Sequence, residues 1–260
     1  HGTITDGTGA LNFNTSSFSV EFWVNPDTSG DGFLLCKDGH WCIKLKKQRN
    51  LDITVNGTKL ISTSQKLDIG VKTHVALSVT DTGSSTLVVL YLNGVLADTA
   101  TDGARVADIT ASVFLNGGGA AGTSKVASAT YDELVFWSKA LDLSEVTARY
   151  NGGLGIAAAP ADPNLVAGYH FDETSGTTAD NFEGTAGLDM TITGTPEWVG
   201  GLIETVAGTR GVFSYVFPPG AVSEFHFEVQ MPHAWDGSTI YPHIHWSTLG
   251  TGAAGDIVWE

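Results

Sequence analysis

Short stretches in which apolar and polar residues alternate at every second position recur along the first half of the chain: FSVEFWV, FLLCK, WCIKLK, LDITV, HVALSV, TLVVLYL, SVFLNG and ATYDELVFW. A strand with one buried face produces that period, and each stretch is bounded by Gly, Asn, Asp or Ser, which favour turns. Closely spaced short strands of this kind predict an antiparallel sandwich. In the first stretch Phe18, Val20, Phe22 and Val24 fall on one face and Trp23 on the other, which suits a two-sheet sandwich with an apolar inner face. Asn56-Gly57 and Asn93-Gly94 each have strand-like residues on both sides, and both dipeptides can take the positive φ of a tight hairpin turn.

One helix is predicted. In DLSEVTARYNGG, Asp142 can cap the helix with Glu145 three residues on, Leu143, Val146 and Tyr150 recur at helical spacing, and Gly152 stops it. The stretch that follows has no periodicity and carries two prolines, so residues 154–163 read as a linker. Strand-like segments then resume as LVAGYHF, GLDMTIT, GVFSYVF, EFHFEVQMP, IYPHIHW and DIVWE, spaced differently from those before. The pattern divides the chain into residues 1–153 and a second β-rich region, 164–260.

Charge sharpens that division. The net charge is −15, with 28 acidic against 13 basic side chains, and Arg210 is the sole basic residue after position 153. Neutralising phosphates requires clustered Lys and Arg, so nucleic acid is excluded as a partner. No run of apolar residues is long enough to span a membrane, and HGTITDGTG lacks the regions of a signal peptide. The chain has no initiator Met and ends on IVWE, which reads as mid-strand; both ends look cut from something longer. Cys36 and Cys42 flank the turn signal Asp38-Gly39. A three-residue loop at 38–40 would set them opposite each other and permit a disulfide, whereas a two-residue loop would pair Cys36 with Trp41 and keep the sulfurs apart.

The order FSVEFWVNP, a hairpin, THVALSV, LVVLYLNGVLADTA and YDELVFWSKALDLSEVTARYNGG resembles the concanavalin A-like, laminin G-like jelly-roll domains over residues 1–153. The resemblance implies an all-β fold, an antiparallel β-sandwich of jelly-roll type. NLVAGYHFDETSGTTADNFEGTAGLDMTITG looks like the opening strand and loop of another such domain, although no second FSVEFW follows. Two readings stand side by side: residues 164–203 start an incomplete second sandwich, or they pack back and complete the first. The segment GVFSYVFPPGAVSEFHFEVQMPHAWDGSTIYPHIHW resembles structural proteins of tailed bacteriophages.

Hydrolases on this jelly roll carry paired carboxylates on one strand, written E-x-D-x-x-E, and that pattern is absent. Asp132-Glu133 and Asp172-Glu173 are neighbours in sequence, and neighbouring strand residues point to opposite faces. No G-x-S-x-G, H-E-x-x-H or phosphate loop occurs, so no enzyme is expected. The resemblance implies calcium as cofactor, with Asp132 and Asp172 at the family's acidic positions; the plainer reading is two carboxylates that accept backbone hydrogen bonds at strand ends. A glycan site would stack an aromatic ring on a sugar beside Asn or Asp, and Trp41, His40 and Asn116 with its glycine loop are the candidates, Trp41 fitting the core equally well. In YPHIHW, His243 and His245 share one face about 7 Å apart. Phage fibres hold a metal ion between such H-x-H motifs at an oligomer axis, and imidazoles that merely pack beside Trp246 are the plainer alternative.

Together these features are expected of a non-enzymatic bacteriophage virion protein: a capsid fibre, decoration protein or tail fibre that displays a lectin-like domain to a host-surface glycan. It would contact other virion proteins and form a homo-trimer through residues 164–260, by way of aromatic faces in GVFSYVF and EFHFEV. The alternative is a secreted bacterial carbohydrate-binding module of an adhesin or polysaccharide-degrading enzyme.

Overall fold

Alternation in the sequence becomes two antiparallel sheets in the computed structural model, which describes residues 1–198 apart from 38, 108–109, 119–121, 123–124 and 159–161. In chain order the strands are β1 (Gly2–Ile4), β2 (Phe18–Pro26), β3 (Gly32–Lys37), β4 (Trp41–Leu45), β5 (Asn50–Val55), β6 (Thr58–Lys66) and β7 (Thr73–Asp81). They continue as β8 (Thr86–Leu92), β9 (Val95–Asp102), β10 (Val113–Leu115), β11 (Ala129–Trp137), β12 (Leu165–Tyr169), β13 (Thr178–Ala179) and β14 (Met190–Ile192), with helix α1 (Leu143–Tyr150) after β11. One sheet runs β13-β14-β1-β10-β3-β4-β5-β6 and the other β12-β11-β2-β7-β8-β9. Among the described residues no helix is long and apolar enough to cross a membrane.

The turn chemistry sets the local register. Asn56 and Gly57 have φ of 51° and 73°, and Asn93 and Gly94 have 51° and 75°. Val55 therefore pairs with Thr58, and Leu92 with Val95, across two-residue loops. Gly94 serves a second purpose, because a Cβ there would lie 2.8 Å from the Tyr150 ring. At β3–β4 the longer of the two loops is formed: Lys37 pairs with Trp41, Cys36 with Cys42, and the two cysteines are joined in a disulfide.

Between the sheets lies the main core, where Phe18, Val20, Phe22 and Val24 meet Leu34, Ile43, Ile53, Leu77 and Leu90. Phe22 and Leu90 are fully buried, as the alternation predicts. The outer face of β2 is buried as well. Helix α1 covers it, held at its start by the predicted capping box between Asp142 and Glu145 and ended by Asn151 in the left-handed conformation. Val146 enters a second apolar cluster with Ala76, Tyr91, Val135, Trp137, Leu141, Ala158 and Leu165, while Leu143 stays exposed.

Glu21 sits beneath that helix, 2% exposed. Its carboxylate accepts from the Trp137 indole at 3.0 Å and from Arg149 Nε, and lies 3.1 Å from His74 Nε2. Arg149 also stacks its guanidinium over the Trp137 ring at 4.5 Å. Burial by itself pushes the carboxyl up, but the Arg149 charge and the His74 hydrogen bond outweigh it and hold Glu21 below its ordinary value.

Of the two readings for residues 164–203, the structure takes, in the described part of the segment, the one in which it packs back. β12 pairs with β11, matching Leu134 to Tyr169, and β14 pairs with β1, matching Thr3 to Thr191. Ala167, Tyr169, Ala179, Leu188 and Met190 are buried in the main core. Strands this short cannot cover their own apolar face, so the open edges of β11 and β1 take them in. In its described residues the stretch 154–163 carries no strand or helix, and it is followed by β12 of the same sandwich. The segments GVFSYVF, EFHFEVQMP and YPHIHW, with His243 and His245, lie outside the described residues, as does the expected trimer contact.

Candidate functional site

Both sheets end at one mouth of the sandwich. Gly2 of β1 pairs with Leu115 and Ile192 there, at the ends of β10 and β14. Ala129, which starts β11, pairs with Pro26, which ends β2. The residues just beyond these strand ends enclose a cavity of about 320 Å³ lined by Asp27, Asn116, Tyr131, Asp132, Phe171, Trp198 and their neighbours.

Among the described residues, two buried polar atoms in its wall have no hydrogen-bond partner. Asn116 follows β10 in the left-handed conformation, φ 56°, and donates its backbone N–H to Leu34 at 2.9 Å, while its side-chain Oδ1 is buried and unbonded. Tyr131 packs its ring against Phe22, centroids 6.2 Å apart, and its hydroxyl is likewise buried and unbonded. Burial, helped by the negative Asp27, pushes the Tyr131 hydroxyl up, so it stays a neutral donor. Such groups carry a desolvation cost of about 1–3 kcal/mol each until something bonds them. Trp198 borders the cavity with its indole N–H fixed on the Gly176 carbonyl at 3.1 Å. Asp27, which accepts from Ser128 Oγ at 3.1 Å, and Glu197 are exposed at the rim.

The backbone of Asp132 belongs to the same strand end, but its side chain shares the face of its partner Trp23. There it acts electrostatically on Lys72 and on His170. The register of β11 shifts between Asp132 and Val135, and Glu133, at φ 48°, turns inward with 3% exposure. Its Oε1 meets His170 Nδ1 at 2.6 Å, and the His170 ring stacks on Phe182 at 3.9 Å. Burial pushes the Glu133 carboxyl up further than His170 pulls it down. Burial would lower His170, yet the hydrogen bond and charge of Glu133 hold it above its ordinary value. Asp172 is also raised, by burial first, and adds its charge to this group.

Of the residues expected to bind a glycan, Asn116 lies in the cavity. Trp41 does not: it is 1% exposed, 5.8 Å from Phe18 and 6.4 Å from Phe136, and takes the core reading instead. A large indole at the first residue after the hairpin loop is drawn inward by the apolar sheet that it faces. His40 is placed on the β3–β4 loop, Nδ1 3.0 Å from the Ala107 carbonyl, and does not line the cavity. Asp132 and Asp172, expected to bind calcium, both surround His170, but among the described residues no three His, Cys, Asp or Glu groups converge on a metal position. Calcium takes six or more oxygen ligands, and the partner that Glu133 meets in this group is the His170 imidazole. Tyr131, Asp27 and Trp198 escape the sequence reading. The lone Trp198 in the turn-rich stretch TGTPEWVGG is the one that such a reading could have found.

Similarity to known proteins bears on the fold. A candidate carbohydrate binding protein from Bacteroides ovatus ATCC 8483 superposes with a TM-score of 0.59 at 19% identity over 75% of this chain. The chain spans 57% of that protein's length. Domain 4 of AbnA, an extracellular arabinanase from Geobacillus stearothermophilus solved with arabinotriose, is 26% identical over 54% of this chain and 68% of its own, with a TM-score of 0.41. A pentraxin from Limulus polyphemus is 17% identical over 56% of this chain and 79% of its own, also at 0.41. Comparison with curated proteins gives no match. The laminin G family described as the concanavalin A-like lectin/glucanases superfamily matches residues 3–147. With more than half of its length matched and its strands in two antiparallel sheets, the chain belongs to the concanavalin A-like lectin/glucanases superfamily.

Proposed function

We propose that this protein is a non-catalytic, lectin-like module that binds glycans in the cavity at the mouth of its sandwich. The observation that carries the reading is the pair of buried, unbonded groups, Asn116 Oδ1 and the Tyr131 hydroxyl, beside a tryptophan ring at a concave strand end. A sugar offers hydroxyls that satisfy an acceptor and a donor at once and an apolar face for the ring. Absence of catalysis is supported by the carboxylates: Asp27 and Glu197 are exposed, the Asp132 side chain lies on the other face of β11, and Glu133 is engaged by His170. Among the described residues, a buried acid facing a second carboxylate, the arrangement used in glycoside cleavage, is not assembled there.

The two settings expected from the sequence use such a site alike. A virion fibre or decoration protein would hold a particle on a host-surface glycan, and an accessory module would hold an adhesin or enzyme on a polysaccharide. The particle reading, with its trimer and its His243 and His245 metal site, rests on residues 211–260.

The test pairs binding with stability in the full chain on a glycan array. Tyr131→Phe should weaken sugar binding about tenfold while leaving the melting temperature equal or higher, since it removes a hydroxyl that nothing in the free protein bonds. Asn116→Gly keeps the left-handed backbone and should also weaken binding. Unchanged sugar affinity in both variants, or release of reducing ends by the wild type, would defeat the reading.

A further inference from the structure

We infer that the site takes a neutral oligosaccharide across two subsites divided by Trp198; this rests on the glycan reading above. A second, more open cavity of about 460 Å³ lies beyond that residue, and the two cavities share Thr195, Pro196 and Trp198. The indole is half-buried, packs against the main core, and is fixed by its hydrogen bond to Gly176, itself part of the second cavity. Its ring thus borders both spaces, and successive sugar rings can stack on an aromatic face held at such a boundary. Each cavity by itself is at the small end of ligand sites, about 300–1,000 Å³, and suits one or two sugar units.

The linings differ in a way that favours a chain over a single sugar. The first space holds the two unbonded groups in its wall. The second is rich in hydroxyls, Thr174, Ser175 and Thr177 joining Thr195, which donate and accept with equal ease. Among the described residues no lysine or arginine lines either space, and His1 is the one base in the linings. Asp27 and Glu197 stand at the rim of the first. Anionic sugars are recognised by guanidinium or ammonium groups, and here a carboxylate or sulfate on the sugar would meet carboxylates. Neutral hydroxyls, by contrast, donate to them.

Calorimetric titration of the full chain tests this with glucose-, galactose-, xylose- and arabinose-based oligosaccharides of one to four units, and with oligogalacturonides of the same lengths. The best neutral series should gain about tenfold or more in affinity between one unit and three. Ser175→Phe, which fills the second cavity, should abolish that gain and leave the single sugar bound as before. Trp198→Ala should weaken both. Equal affinity for one and four units, a gain that survives Ser175→Phe, or preference for the galacturonides would each overturn the inference while leaving the glycan reading intact. Failure of every sugar to bind would remove both.

Discussion

Two glutamates are buried on neighbouring strands, Glu21 on β2 and Glu133 on β11, and they end up in opposite electrostatic states. Glu21 is met by Arg149, His74 and the Trp137 indole, and its carboxyl is held below the ordinary 4.5. Glu133 is hydrogen-bonded by His170, with its second oxygen buried and unbonded, and burial pushes it above 4.5 although the charges of His170 and Arg149 act against the rise. Both are about equally removed from water, at 2% and 3% exposure. What separates them is the number and charge of the donors, one permanent cation and two N–H groups against one titratable ring. Burial alone therefore does not decide whether a carboxylate stays ionised; the supply of donors does.

The strongest way to break this comparison is Glu21→Ala. It strips the acceptor from Arg149, whose side chain is 17% exposed, and from the Trp137 indole. Urea denaturation should show a loss of about 3–5 kcal/mol, as for other severed buried pairs. A loss below about 1 kcal/mol would show that the cluster is passive.

A pH series of melting temperatures sharpens the contrast, because the two sites act on opposite limbs. Glu21 has a lowered value in the folded state, so its contribution is present above 4.5 and is lost as pH falls through the folded value. His170 and Glu133 are raised, so theirs is present below 6.5 and 4.5 respectively and is lost as pH rises through the folded values. Replacing His170 with Asn should flatten the decline above 6.5 and leave the acid limb in place. If the acid limb flattened instead, the assignment of limbs to sites would be reversed.

The smallest effect is expected of Glu133→Gln, which keeps the shape and removes a carboxylate that burial already disfavours. Its cost at neutral pH should stay within about 1 kcal/mol, several times less than that of Glu21→Ala.

Much of the sandwich could be read ahead of the structure because its determinants are local. Asn56-Gly57 and Asn93-Gly94 specify their turns, Asp142 and Glu145 their helix start, and Phe22 and Leu90 their face. Where contacts are long-range the reading fails. Glu21, one polar residue within an alternating strand, looks destined for water until a helix that begins more than a hundred residues later folds over it. Period-two spacing places Trp41 on a strand without saying that Phe18 and Phe136 will enclose it. For the site, Asn116 was legible from its loop, whereas Tyr131 needs β10 and β14 beside it before its hydroxyl is cut off from water. The return of residues 165–192 to the first sheet edges was one of two open readings, since the same apolar strand suits either partner.

The position of β1 bears on when the site comes into being. Its three residues lie between Val113–Leu115 on one side and Met190–Ile192 on the other, so neither neighbour is local. Closing such long loops costs entropy before any contact repays it, and tight hairpins such as β5–β6 and β8–β9 can form well ahead. The mouth of the sandwich is consequently assembled late, by strands arriving from three distant parts of the chain. A molecule that has folded its hairpins but not yet captured β14 has a core and no cavity at its mouth, and under the proposed function its glycan affinity would arise only with the final closure.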